Sequence, residues 1–231
     1  YLNTKPNGGL GDADATIVNG RFFLIQNTNQ INYITTIAEK HDINITGVFE
    51  QQREVSNQST AASQAFSSDA TTYNNLGLGS KPQVPSSSHS RKDILSYVIR
   101  VNYTLNKNYL ASFTTRYDGA SVFGNNKWGF FPSAALAWRV SGERFMAELP
   151  SISNLKIRVS YGITGSQAVS PYASLATLNT TRPYALGNGL TVSNGVGLGR
   201  IENPSLRWEQ TAQLNIGTDL GLLKDRILLN V

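Results

Sequence analysis

Apolar and polar residues alternate with a period of two over stretches much longer than the ~5–6 residues of an ordinary strand. From Leu95 the apolar phase reads Leu95, Tyr97, Ile99, Val101, Tyr103 and Leu105, against Ser96, Arg100, Asn102 and Thr104. Tyr109, Ala111, Phe113, Thr115 and Tyr117 repeat it against Ser112, Thr114, Arg116 and Asp118. A third run sets Leu155, Ile157, Val159, Tyr161 and Ile163 against Lys156, Arg158, Ser160 and Thr164. Trp208, Ala212, Leu214, Ile216 and Leu220 likewise alternate with Glu209, Thr211, Gln213, Asn215 and Asp219. Weaker versions begin at Ile31 and Ile43. The pattern predicts eight strands, at 21–38, 42–56, 92–106, 108–120, 128–141, 154–165, 205–220 and from 226 onward.

The connections alternate in length. Glu39–His41, Asn106–Asn108 and Gly221–Asp225 are tight polar turns, and 142–153 is a modest one containing Pro150. Between them fall a Ser/Gln/Asn-rich stretch at 57–91, a medium loop at 121–127 and a Gly/Asn/Thr-rich stretch at 166–204. Short turns at one rim and long loops at the other are the order of a transmembrane β-barrel. A soluble β-sandwich with crossing connections has no reason to keep it.

Strand 128–141 gives the dimension. Its even positions are Trp128, Phe130, Pro132, Ala134, Leu136, Trp138 and Val140. At ~3.3 Å per residue the two tryptophans stand about 33 Å apart, and a tilt of ~40° projects that to about 25 Å. An aromatic at each edge of a lipid-facing band would have this spacing. Two core aromatics of a soluble sheet are the plainer alternative.

Composition narrows the class further. Of 231 residues only 15% are charged, below the roughly 25% of a soluble domain, and 40% are hydrophobic. The polar phase is built from Ser, Thr, Asn, Gln and Gly rather than a dense Lys/Glu cover. No apolar run approaches the ~20 residues of a membrane-spanning helix, whereas lipid-exposed strands need a closed barrel to pair their backbone groups. Cysteine is absent, which excludes disulfides, thiolate metal sites and a cysteine nucleophile. The net charge of +5 comes from dispersed cations, with only Arg91 and Lys92 adjacent, so a nucleic-acid partner is not expected. The chain opens at Tyr1 and closes on an apolar Ile-Leu-Leu-Asn-Val run, which reads as a piece of a longer polypeptide.

Three segments carry a family resemblance. Arg116-Tyr-Asp-Gly-Ala-Ser-Val-Phe-Gly124 leads through Asn125-Asn-Lys-Trp-Gly-Phe-Phe-Pro-Ser133 to Ala137-Trp-Arg-Val-Ser-Gly-Glu143. Leu155-Lys-Ile-Arg-Val-Ser-Tyr-Gly-Ile-Thr-Gly165 follows, then Asn203-Pro-Ser-Leu-Arg-Trp-Glu209 with Asn215-Ile-Gly-Thr-Asp219. In this order, from about 92 to 226, they resemble the barrel of SusC/RagA-type TonB-dependent outer-membrane transporters. Ser166 stands where the family has Asn, and Asp118-Gly-Ala-Ser121 replaces its Asp-Gly-Ser-Ser.

The resemblance implies an all-β, antiparallel transmembrane barrel of about 22 strands, of which this chain supplies about a third. It implies an outer membrane of the Gram-negative, Bacteroidetes type, and import of an oligosaccharide or peptide. The implied partners are outer-membrane lipids, a SusD-like lipoprotein lid and the TonB–ExbB–ExbD complex, reached through a plug and TonB box outside this sequence. All of 1–231 would belong to the barrel domain, without its final strand.

The motif residues read as architectural: Arg116, Asp118, Gly119, Phe123, Gly124, Trp128, Phe131, Pro132, Trp138, Tyr161, Gly162, Gly165 and Trp208. Arg116 and Asp118, two apart on one phase, are placed to pair or to brace neighbouring strands, with a ligand contact as the alternative. Asp118-Gly119 is a turn signal at a strand end, Phe131-Pro132 is expected to seat the start of a strand, and Gly162 and Gly165 to admit a close backbone or a bend. No catalytic residue, cofactor or metal site is predicted. Asp12 and Asp14 lack the further oxygen ligands of a calcium loop. His41 is expected exposed in a turn, and His89 has no positioned carboxylate beside it for hydrolase chemistry. Tyr73, Tyr172 and Tyr184, in the long connections, are candidates for stacking on a sugar, or plain loop packing. A soluble carbohydrate-binding sandwich and an outer-membrane barrel enzyme are the alternatives.

Overall fold

The computed structural model describes residues 13–68, 70, 72–186 and 191–231, with the side chains of Thr72 and 181–194 left aside. Among them the strands are β1 (Asp14–Ile37), β2 (His41–Phe66), β3 (Gly79–Pro82), β4 (Ser86–Leu105), β5 (Tyr109–Ala120) and β6 (Trp128–Arg139). They continue with β7 (Ile152–Ser166), β8 (Thr177–Leu186), β9 (Thr191–Arg200), β10 (Glu209–Leu222) and β11 (Ile227–Asn230). The sheet order is β1-β2-β4-β5-β6-β7-β10-β11, with β3 paired to β2, and β8 and β9 form a separate hairpin. Neighbours from β4 to β11 run antiparallel.

The tight turns lie where the sequence predicts them. Ala38 and Glu39 adopt φ of 53° and 59°, and Asn106 and Lys107 of 49° and 63°. Two successive left-handed residues match the turn to the right-handed twist of the flanking strands.

Three expectations are corrected. The segment 57–91 is not a long loop: β2 runs on to Phe66, β4 starts at Ser86, and β3 pairs with β2 between them. Likewise β1 starts at Asp14 rather than 21, and 166–204 contains the β8–β9 hairpin. Backbone pairing does not need an apolar alternation, so the ladder persists after that alternation has faded.

Cα packing divides the chain into two units. One takes the described part of Tyr1–Ile25 with Arg53–Lys92, and Ala13, Ala15 and Phe66 form its small core, with Leu76 against it. The other is Gln26–Gln52 with Asp93–Val231. Its core is Ala120, Val122, Phe123, Phe131 and Trp208, with Ile163, Val169 and Leu206 packed around it.

Candidate functional site

In the larger unit, register sorts side chains onto two faces, because directly opposed residues share a face. Tyr97 opposes Tyr117 and Tyr117 opposes Phe130; Ala111 opposes Leu136, Leu136 opposes Val159, and Val159 opposes Ile216. One apolar phase thus runs unbroken from β4 to β10. Tyr97, Phe113, Leu136, Ile157, Tyr161 and Ile216 are all exposed on it, Leu136 at 59% and Ile216 at 74%. No second layer covers these side chains among the described residues.

Aromatics gather at both ends of this face. At the loop end Tyr117 stacks on Trp128 with centroids 4.7 Å apart, and Tyr97 lies between Trp128 and Phe49. The Trp128 ring covers Gly119, where a Cβ would come within 2.8 Å of it. At the turn end Tyr109 and Trp138 lie parallel at 6.3 Å. His41 is not free in a turn: it opens β2, and its Nδ1 meets the Tyr103 hydroxyl at 2.7 Å.

The opposite face is polar. Asn102, Ser112, Ser160 and Asn215 fall on one row through Ala135, and Ser112 Oγ donates to Asn102 Oδ1 at 2.7 Å. Arg158 pairs with Asp219 at 3.1 Å. Nearer the loops, Arg116 Nε donates to Asp118 Oδ2 at 2.5 Å and its Nη2 to Ser96 Oγ at 3.1 Å. Asp118 and Ser96 are buried, whereas the Arg116 side chain is about half exposed. Arg116 thus pairs with Asp118 on its own strand and bonds Ser96 on β4.

Beside the brace lies the aromatic core. Phe131 sits within β6 rather than at its start, and its ring occupies the space that a Cβ on Gly129 or Gly165 would need. Trp208 precedes β10 and is buried, not exposed on the apolar phase that its position implies. The reason is a split in the sheet: β6–β7 pairing stops at Ser133 and Gly162, while β7–β10 pairing continues to Ser166 and Glu209. Beyond the split the apolar phase of β7 and β10 turns onto the other phase of β6, so Ile163 and Trp208 meet Phe131 there. Phe131, a bulky aromatic on the polar phase of its strand, was the one sequence signal for this cluster.

The cluster anchors the loops. Asn125 N–H donates to the Pro204 carbonyl, and a Cβ on Gly124 would lie 3.1 Å from that oxygen. Ser174 Oγ donates to the Val122 carbonyl and Trp208 Nε1 to that of Lys127. Gly162, at the split, has the Ser133 Cβ within 2.9 Å of where its own would stand, while Pro132 opposes Thr115 on β5.

Of the candidate tyrosines, Tyr73 lies in a 3-10 turn of the smaller unit, and Tyr172, with φ 62°, lies before β8 in the larger one. Both are exposed, and the Tyr184 side chain lies outside the described residues. His89 Nδ1 meets Asn57 Oδ1 at 2.7 Å. Asp12 lies outside the described residues.

Residues 2–231 match the family model of the TonB-dependent receptor-like β-barrel. The chain belongs to that family. It is 35% identical to TonB-dependent receptor P3 of Formosa agariphila over 88% of this chain and 20% of the relative. With the TonB-dependent receptor SusC of Bacteroides thetaiotaomicron it shares 37% identity over 60% of this chain and 14% of that protein. The solved RagAB peptide transporter superposes with a TM-score of 0.82 at 25% identity, covering 95% of this chain and 24% of the other. The chain thus spans about a fifth of the length of the curated relatives. As an arc of a TonB-dependent receptor barrel, its exposed apolar phase is the outside of the wall and its polar phase the lumen side.

Proposed function

We propose that this arc belongs to an energy-coupled importer that carries a bulky nutrient, an oligosaccharide or a peptide, across the outer membrane. Cargo is held at the extracellular mouth between barrel loops and a SusD-like lipoprotein. It is released when the TonB–ExbB–ExbD complex pulls on a plug encoded outside these residues. The observation that carries the reading is the match of nearly the whole chain to the receptor barrel. Supporting it are the aromatic bands at both ends of one apolar face and the loop-anchoring cluster on the other. RagAB, a similar solved structure, is a peptide transporter, which supports a peptide as one class of cargo.

Deleting the full-length gene and measuring growth on single glycans or on protein as sole carbon source tests it. Growth lost on one such polymer, and restored by the gene but not by a copy lacking the TonB box, is expected. Unimpaired growth and uptake on all of them would overturn the proposal.

A further inference from the structure

The rim of short turns carries a site on the outer side of the wall that the import reading does not use. Tyr109, Ala111, Leu136, Trp138, Ile157 and Val159 line a groove of about 310 Å³ on the apolar phase. Ala111, flanked across the strands by Leu136 and Tyr103, leaves the slot between larger neighbours. At its turn-side end stands one carboxylate. Glu143 Oε1 accepts from Trp138 Nε1 at 3.2 Å and from Asn108 Nδ2 at 3.3 Å. A carboxylate accepts about four hydrogen bonds, so these two donors leave room for more.

We propose that this groove binds a glycerophospholipid with an ammonium headgroup. One acyl chain fills the slot over Ala111, and the ammonium lies against Glu143 and the exposed faces of Tyr109 and Trp138. A carboxylate beside aromatic faces attracts a compact cation, and Arg158, which also lines the groove, is paired with Asp219. The leaflet agrees, because short turns mark the periplasmic rim of such barrels, where the lipids are glycerophospholipids. Trp138 and Tyr109 thereby select a headgroup in addition to sitting at the interface, as aromatics of such belts do.

The proposal rests on the membrane placement of the wall, and the test separates the two. Full-length protein is reconstituted into nanodiscs holding equal phosphatidylethanolamine and phosphatidylglycerol with the same acyl chains, then released for native mass spectrometry. Failure to enter the bilayer at all would defeat the placement. With insertion, the wild type is expected to retain phosphatidylethanolamine about fivefold over phosphatidylglycerol. Glu143→Gln, which keeps the shape, brings the ratio to parity, and Ala111→Leu, which fills the slot, lowers retention of both lipids. An inserted wild type with no preference, or with a preference for phosphatidylglycerol, overturns the headgroup assignment. Undiminished retention by Ala111→Leu overturns the groove, and this holds even if Glu143→Gln fails to fold.

Discussion

The indole of Trp208 meets the ring of Phe131 edge-on, with centroids 5.3 Å apart and planes at 67°, at the level where β6 and β7 no longer pair. Edge-to-face contacts of this kind add to the area that the rings bury. Trp208→Ala in the full-length protein is expected to cost about 3–5 kcal/mol, read as a lowered unfolding midpoint in detergent or lipid. Trp208→Phe keeps the packing and loses only the bond to the Lys127 carbonyl, so it should cost about 1 kcal/mol.

Gly165 and Gly129 are the floor on which the Phe131 ring lies. Gly165→Ala places a methyl in the ring's volume and should destabilise by about 1–3 kcal/mol. Adding Phe131→Leu should recover part of that loss, so the double variant will fall short of the sum of the singles. Strict additivity in an unfolding titration would disprove the contact.

Leu136 and Gln213 stand on opposite faces and are both exposed. Leu136→Arg, in the middle of the lipid-facing band, is expected to cost about 2–4 kcal/mol. Gln213→Arg, on the lumen side, should stay within about 0.5 kcal/mol of the wild type. Folding into lipid vesicles from urea compares them directly; equal effects would mean that neither face alone meets lipid, and a costlier Gln213→Arg that the faces are reversed.

Arg116 and Asp118 are coupled unequally, since the carboxylate is buried and the guanidinium half exposed. Asp118→Ala and Arg116→Ala should each destabilise, and a double-mutant cycle should give a coupling of about 1 kcal/mol, limited by solvent around the arginine. High salt should change that coupling little, because one partner lies out of water.

The sequence and the structure agree best where one face of a strand meets lipid and the other does not. From Leu95 to Ile163 the alternation of Tyr97, Phe113, Leu136 and Ile157 marks strand, phase and facing at once, because a one-residue slip would reverse every side chain. The pattern says least where the alternation lapses. Asn57-Gln58-Ser59-Thr60 and the residues after them extend β2 without any alternation, so nothing in their pattern distinguishes a paired strand from a loop. Trp208 misleads for another reason. Its phase is that of Leu214, but the split at Ser133 and Gly162 carries that phase from the outer surface into a packed cluster. Glu143 was legible only as the end of a family motif; its two donors, Asn108 and Trp138, come from segments that meet only in the folded sheet.

The split has a thermal consequence. For most of its height the seam between β6 and β7 is closed by peptide hydrogen bonds, but at its upper end it is closed by Phe131, Trp208 and Ile163. Contacts that depend on excluding water weaken in the cold. Chilling should therefore loosen the mouth end of this seam before the rungs below it, freeing the loops moored there while the lower wall stays shut.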